Sequence, residues 1–196
     1  MNSQVDKFIE GFEKNPAVEP ALIQQIVESF GFALPTDYLA LFSKMNGGEG
    51  FVGDNYCRFY PIDKLITLNQ AFMVNDFAPG LFIFGSTGGG EAFAFEKRGD
   101  SNSIVKIPFI PMDIKYAEIL GETIFDFFIA LSSGAKNELP HAINEAIISK
   151  EIHEIQPIVF GGDPVDPKNK TLLSPDDYAK LVVWWNKQYQ KVVASK

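Results

Sequence analysis

The 196 residues include 17 Lys and Arg against 25 Asp and Glu, a formal net charge of −8. A chain this acidic repels phosphate backbones, so nucleic acid is disfavoured as a partner and encounters with a basic protein are favoured. With 46% hydrophobic residues and 18 Phe it can bury a core, and no uncharged apolar run reaches the roughly 18 residues of a membrane span. The lone Cys57 cannot form an internal disulfide. Asp6, Lys7 and Glu10 interrupt what would have to be the apolar stretch of a secretion signal. The expected location is the cytoplasm.

Helices open the chain. Leu22, Ile23, Ile26, Val27 and Phe30 recur at helical spacing between Pro20 and Gly31. Pro35 then starts a second helix, with Asp37 in its positive first turn. Its core-facing stripe is Tyr38, Leu41, Phe42 and Met45, ended by the glycines of Asn46-Gly47-Gly48-Glu49-Gly50.

The middle reads as sheet. Phe51 to Tyr60 holds two aromatic-rich runs around an Asp54-Asn55 turn, and a strand near Leu65 to Leu68 precedes a short helix near Gln70 to Asn75. Leu81-Phe82-Ile83-Phe84 and Ala92-Phe93-Ala94-Phe95 are strands, with Gly85 to Gly90 between them as a loop. Ile104 to Ile107 is another strand, limited by Pro108 and Pro111. Thr123-Ile124-Phe125-Asp126 is a capping-box pattern that opens a helix presenting Ile124, Phe127, Phe128 and Leu131 on one face. Helices, then consecutive short strands, then a helix predict an α+β fold with a mostly antiparallel sheet flanked by helices.

A composition break at Ser132-Ser133-Gly134 divides the chain into a domain over 1–134 and a C-terminal extension over 135–196. Ser174 as N-cap, Pro175 and Asp177 signal a last helix. Tyr178, Leu181, Val182, Trp185 and Tyr189 form its apolar stripe, which predicts docking on the first domain. Trp184 falls on the flank, where an exposed ring is a candidate interface anchor and partial burial is the competing reading.

Leu34-Pro35-Thr36-Asp37-Tyr38 followed by Asn46-Gly47-Gly48 resembles the opening signature of the SUKH superfamily, known also for fungal cell-wall assembly regulators. Leu81 to Gly85, Gly90 to Phe95 and the helix from Thr123 to Leu131 are similar to later parts of that pattern, so the resemblance covers roughly Pro20 to Ser133. It implies one antiparallel sheet flanked by helices, no catalytic residues and no cofactor. Bacterial members mostly resemble immunity proteins that bind and block toxins, and a regulatory or scaffold role is the second possibility. Fold-level inference to function is analogy.

Other chemistry finds little support in the residues. Gly85 to Gly90 lacks the Lys-Ser or Lys-Thr and the following helix of a phosphate loop. Ser86 lacks the glycine two positions earlier that a nucleophile elbow requires, Phe84 standing there. His141 and His153 are the only histidines, and His153-Glu154 is not followed by a second His at zinc-protease spacing. Asp163 and Asp166, between prolines, read as turn formers rather than calcium ligands. The run from His153 through Asn169 into the last helix looks like a strand pair and helix of an HNH nuclease. Ile152 and Tyr178 stand where metal ligands would be expected, which makes a degenerate module or a docking tail the stronger reading. No metal site is therefore expected.

Asp113, Glu118 and Glu122 are read as solvated surface. The candidate contacts for a basic toxin domain are Glu49, Asp54, Tyr56, Asp76 and Glu91 around the glycine loops, together with Trp184. Steering charges around aromatic anchors are the pattern of tight interfaces, and each residue has the competing reading of an ordinary surface or turn position.

Overall fold

A computed structural model describes residues 3–98, 103–134 and 150–195; His141 lies outside them. The described elements are α1 (Ser3–Phe8), β1 (Glu13–Lys14), α2 (Pro20–Glu28), α3 (Thr36–Phe42), β2 (Gly48–Val52), β3 (Asn55–Phe59), α4 (Leu65–Ala71), α5 (Val74–Phe77), β4 (Leu81–Ser86), β5 (Glu91–Glu96), β6 (Ile104–Pro108), β7 (Glu118–Gly121), α6 (Ile124–Ser133), β8 (Glu151–Glu154), β9 (Lys170–Leu173) and α7 (Pro175–Ala194). Among these residues β1 to β7 form one sheet in sequence order, every pair antiparallel, and β8 and β9 form a separate antiparallel pair. The α+β architecture is the one the sequence predicts.

One face of the sheet is an aromatic core. Phe84 stacks on Phe95 at 4.5 Å and meets Tyr38 of α3 at 5.2 Å. Phe127 of α6 packs edge-on against Phe93 at 5.0 Å and against Phe59 at 5.8 Å. The helix that brings Phe127 there begins with the anticipated capping box, in which Thr123 and Asp126 satisfy each other's backbone N–H groups.

Two motif residues fix the helices to each other and to the sheet. The Asp37 carboxylate accepts from the Ile124 N–H at 2.7 Å, tying the start of α3 to the start of α6. The Asn46 side-chain Oδ1 accepts from the Ile62 N–H at 2.9 Å, and Gly47 has φ +74° with no room for a side chain against the Phe59 carbonyl. Asn46 and Gly47 therefore serve the turn after β3 as well as the end of α3.

Several local expectations are corrected. Leu65 to Leu68 is not a strand but the first part of α4, and α5 replaces the second half of the expected 70–75 helix. The reason is Asn69, a polar residue in a helical stripe with Leu65 and Phe72. Its side chain accepts from the Ile83 N–H at 2.8 Å and donates to the Ile83 carbonyl at 2.7 Å, so the helix is anchored on β4 by an amide where the pattern calls for an apolar residue. The first turn lies at Gly53-Asp54, because Asn55 already begins β3 and donates to the Leu131 carbonyl at 2.6 Å. Neither β1 nor β7 was signalled by its residues, since β1 is two exposed charged positions and β7 is largely exposed.

The glycine run is also shorter as a loop than expected. Gly85 and Ser86 belong to β4, which bulges between Ile83 and Gly85. In a regular strand Phe84 and Ser86 would share a face. The extra residue turns Ser86 to the face opposite Phe84, beside Arg58, its register partner on β3.

Candidate functional site

On that opposite face the register places Glu49, Arg58 and Ser86 side by side across β2, β3 and β4. Arg58 Nε donates to Glu49 at 2.5 Å, and Arg58 Nη1 donates to Glu151 of β8 at 2.6 Å. Arg58 Nη2 also donates to the Lys150 carbonyl at 3.1 Å, while the Tyr56 hydroxyl donates to Glu49 at 2.5 Å. The Ser86 hydroxyl donates to Glu151 at 3.1 Å. Glu151 is 2% exposed and Arg58 9%, so this is a buried ionic cluster in which Ser86, Tyr56 and the Lys150 carbonyl add hydrogen bonds to the ion pairs. Burial opposes the charge on Arg58, but Glu151, Tyr56 and Glu49 outweigh it and raise its pKa. For Glu151 burial outweighs the guanidinium and pushes the carboxyl above its ordinary range.

The cluster holds the C-terminal segment against the sheet, and the glycine loop completes the attachment. The Ile152 N–H donates to the Gly88 carbonyl at 3.0 Å, and Tyr56, Ile152 and Leu172 pack together. Helix α7 adds Tyr178, which meets Phe109 at 5.2 Å and Phe72 at 6.1 Å. Its buried positions are Tyr178, Ala179, Val182 and Asn186. The expected docking is present, but the stripe is rotated, with Leu181, Trp185 and Tyr189 half-buried on its flank. Asn186 explains the rotation: its amide accepts from the Met112 N–H at 2.7 Å and donates to the Phe109 carbonyl at 2.8 Å. Ser174 caps α7 by accepting from the Asp177 N–H at 3.3 Å.

Between the glycine loop, the Pro108–Pro111 stretch and the C-terminal segment lies a half-open groove of about 540 Å3. That volume is in the range of ligand and anchor pockets. Its lining includes Glu91, Ile110, Tyr116, His153, Glu154, Ile158, Val159, Lys170 and Tyr178. Burial holds the His153 imidazole below its ordinary range, with Glu154 raising and Lys170 lowering it to smaller extents. Ile155, Ile158 and Val165 stand exposed along the same segment.

The model of the SMI1 / KNR4 family (SUKH-1) matches residues 17–130, more than half of the chain. The chain belongs to the SMI1/KNR4 family. No curated protein sequence matches the chain. The matched span covers β2 to β7 and ends within α6, so the groove has one wall from the SMI1/KNR4 part and the other from residues 152–178, beyond the match.

The sequence-derived contact residues divide into groups in this SMI1/KNR4 fold. Glu49 and Tyr56 sit in the buried cluster and hold the C-terminal segment. Glu91 lines the groove and pairs with Lys106 at 3.4 Å. Asp54 and Asp76 are exposed, Asp54 in the β2–β3 turn and Asp76 in α5. Trp184 is 51% exposed and stands edge-on to Trp185, which packs on Phe160 at 4.7 Å. Arg58, Glu151 and the groove's apolar rim were missed by sequence reasoning. The usable signals were a lone Arg inside the aromatic run Tyr56-Cys57-Arg58-Phe59 and an apolar run, Ile155 to Phe160, broken only by Gln156 and Pro157.

The β8–β9 pair followed by α7 has the strand-pair-and-helix order of the nuclease resemblance. His153 faces the Tyr178 ring at 5.7 Å, and among the described residues no group of three or more His, Cys, Asp or Glu is placed to hold a metal ion. Among the described residues no helix is long and apolar enough to cross a membrane.

Proposed function

We propose that the chain is a non-catalytic binding protein that acts in the cytoplasm as the immunity partner of a bacterial toxin domain. The observation that carries this reading is SMI1/KNR4 membership over residues 17–130, since the bacterial proteins the sequence resembles mostly bind and block toxins. Two further observations support it. The buried charges Arg58, Glu49 and Glu151 are committed to one another, so they act in holding the C-terminal segment. The outer surface instead offers apolar side chains beside carboxylates, the composition of a contact surface.

The mechanism is competitive occlusion, in which the folded chain covers the toxin's active site or substrate path and needs no chemistry of its own. A net charge of −8 steers a basic toxin toward it. Asp54, Asp76 and Glu91 are proposed as steering charges and Trp184 as an anchor. Glu49 and Tyr56 contribute through the segment they hold in place. The division of the chain at residue 134 belongs to the same proposal, with the added segment completing the contact surface.

Co-purification with the product of the adjacent upstream gene tests this reading. A stable complex whose association slows as salt is raised is the expected result. Absence of a complex shifts the assignment to a regulator or scaffold with an endogenous partner.

A further inference from the structure

Two polar side chains at the floor of the groove have no hydrogen-bond partner among the described residues. His153 is 4% exposed and Tyr178 1%, and neither side chain makes a hydrogen bond among the described residues. Among those residues the only fully enclosed side-chain polar atom without a partner is the Tyr38 hydroxyl. The polar atoms of His153 and Tyr178 therefore open onto the groove that both residues line. A desolvated polar group left unpaired is costly, and one that faces a cleft marks where a ligand atom is to be received.

The charges around these two groups select the ligand. The lining holds two carboxylates, Glu91 and Glu154, against one ammonium, Lys170, which pairs with Glu154 at 2.8 Å, while Glu91 pairs at 3.4 Å with Lys106, outside the lining. A neutral imidazole offers one acceptor nitrogen and a phenol offers its oxygen. The upper walls are apolar, with Ile158 59% and Val159 39% exposed at the rim. A carboxylate would meet Glu91 and Glu154 while both nearby ammoniums, Lys106 and Lys170, are already paired, and a purely apolar group would leave His153 and Tyr178 desolvated without partners. A guanidinium has a fork of donors for the floor and an apolar stem for the walls.

We propose that this groove is the anchor site for a basic side chain of the protein partner, arginine foremost. The inference rests on the protein-partner reading above and adds to it the place and chemistry of contact. Because one wall lies beyond residue 130, the site belongs to this chain's C-terminal segment as much as to its SMI1/KNR4 part.

Benzamidine, a flat ring carrying an amidinium, and benzamide, its neutral counterpart, are the probes. Each is titrated into the full chain while the His153 and Tyr178 ring signals are followed by NMR. Saturable shifts at both rings, with benzamidine binding about tenfold more tightly, are expected from charge-assisted hydrogen bonds. Glu91→Gln should weaken benzamidine several-fold and leave benzamide unchanged, and because the wild-type comparison stands alone, the test survives if that variant does not fold. Equal affinities for the two probes, or no saturable shift at His153 and Tyr178, would overturn the proposal. That failure would leave the toxin-binding reading standing, since complex formation decides it separately.

Discussion

The Arg58 guanidinium and the Glu151 carboxylate meet at 2.6 Å although they stand 93 residues apart in the chain. Their side chains are 10% and 3% exposed, so solvent does little to screen them. This pair, with Glu49 on its other side, joins a strand inside the family match to a strand beyond it. Breaking a buried pair from one side leaves an uncompensated charge.

Glu151→Ala is expected to lower unfolding free energy by about 3 kcal/mol, the cost of removing one partner of a buried ion pair. Arg58→Ala made on that background should cost much less than it does alone, because the two act as a unit. Chemical denaturation of the two single variants and the double variant measures the coupling. Additive losses would show that Glu151 does not depend on Arg58.

Tyr38 sits at the centre of the core with its hydroxyl buried and without a partner among the described residues. Tyr38→Phe removes a desolvated group and keeps the ring contacts with Phe42, Phe84 and Phe95. The variant should be at least as stable as the parent, with a gain of up to about 1 kcal/mol. Thermal melting detects it, and a clear loss would mean that the hydroxyl has a partner in solution.

Asn186→Leu should destabilise α7 although it places an apolar residue at a buried position. The Met112 N–H and the Phe109 carbonyl would both lose the partner that Asn186 supplies. A loss of about 2 kcal/mol or more follows from two stranded backbone groups. Hydrogen exchange should show faster opening of 175–194 before the sheet responds.

His153 gives stability a pH dependence of defined sign. Its folded pKa lies below the ordinary value of 6.5 because burial disfavours the charged ring, with Glu154 raising it and Lys170 lowering it as smaller influences. A depressed folded pKa means that the unfolded chain takes up the proton first as the pH falls. The contribution is therefore complete above 6.5 and is lost as pH drops through the folded pKa. Melting temperature should fall as the pH drops below 6.5. His153→Gln should flatten that part of the curve.

Much of this fold can be read from local chemistry. The capping box at Thr123, the stripe of Tyr38, Leu41 and Phe42, and the strands around Phe82 and Phe93 each follow from their own residues. The harder features are those in which a polar residue does long-range work. Asn69 and Asn186 hide helix faces because an amide that binds distant backbone groups reads as solvent-facing in a periodic pattern. The bulge at Gly85 and the pairing of Arg58 with Glu151 are likewise decided by tertiary approach, since nothing near either residue in sequence names the other. The groove is harder still, because its walls come from segments that are adjacent only after folding. His153 and Tyr178 drew notice as a failed metal set, and only their burial side by side gives them another role.

The central claim is that this chain protects by binding. Its most direct measurement is the survival of cells expressing the C-terminal domain of the product of the adjacent upstream gene, with and without this chain. The account predicts that survival is restored by the wild type and lost with a Glu151→Ala/Asn186→Leu variant that can no longer hold its C-terminal segment. Cells that die equally with and without the wild-type chain would contradict it.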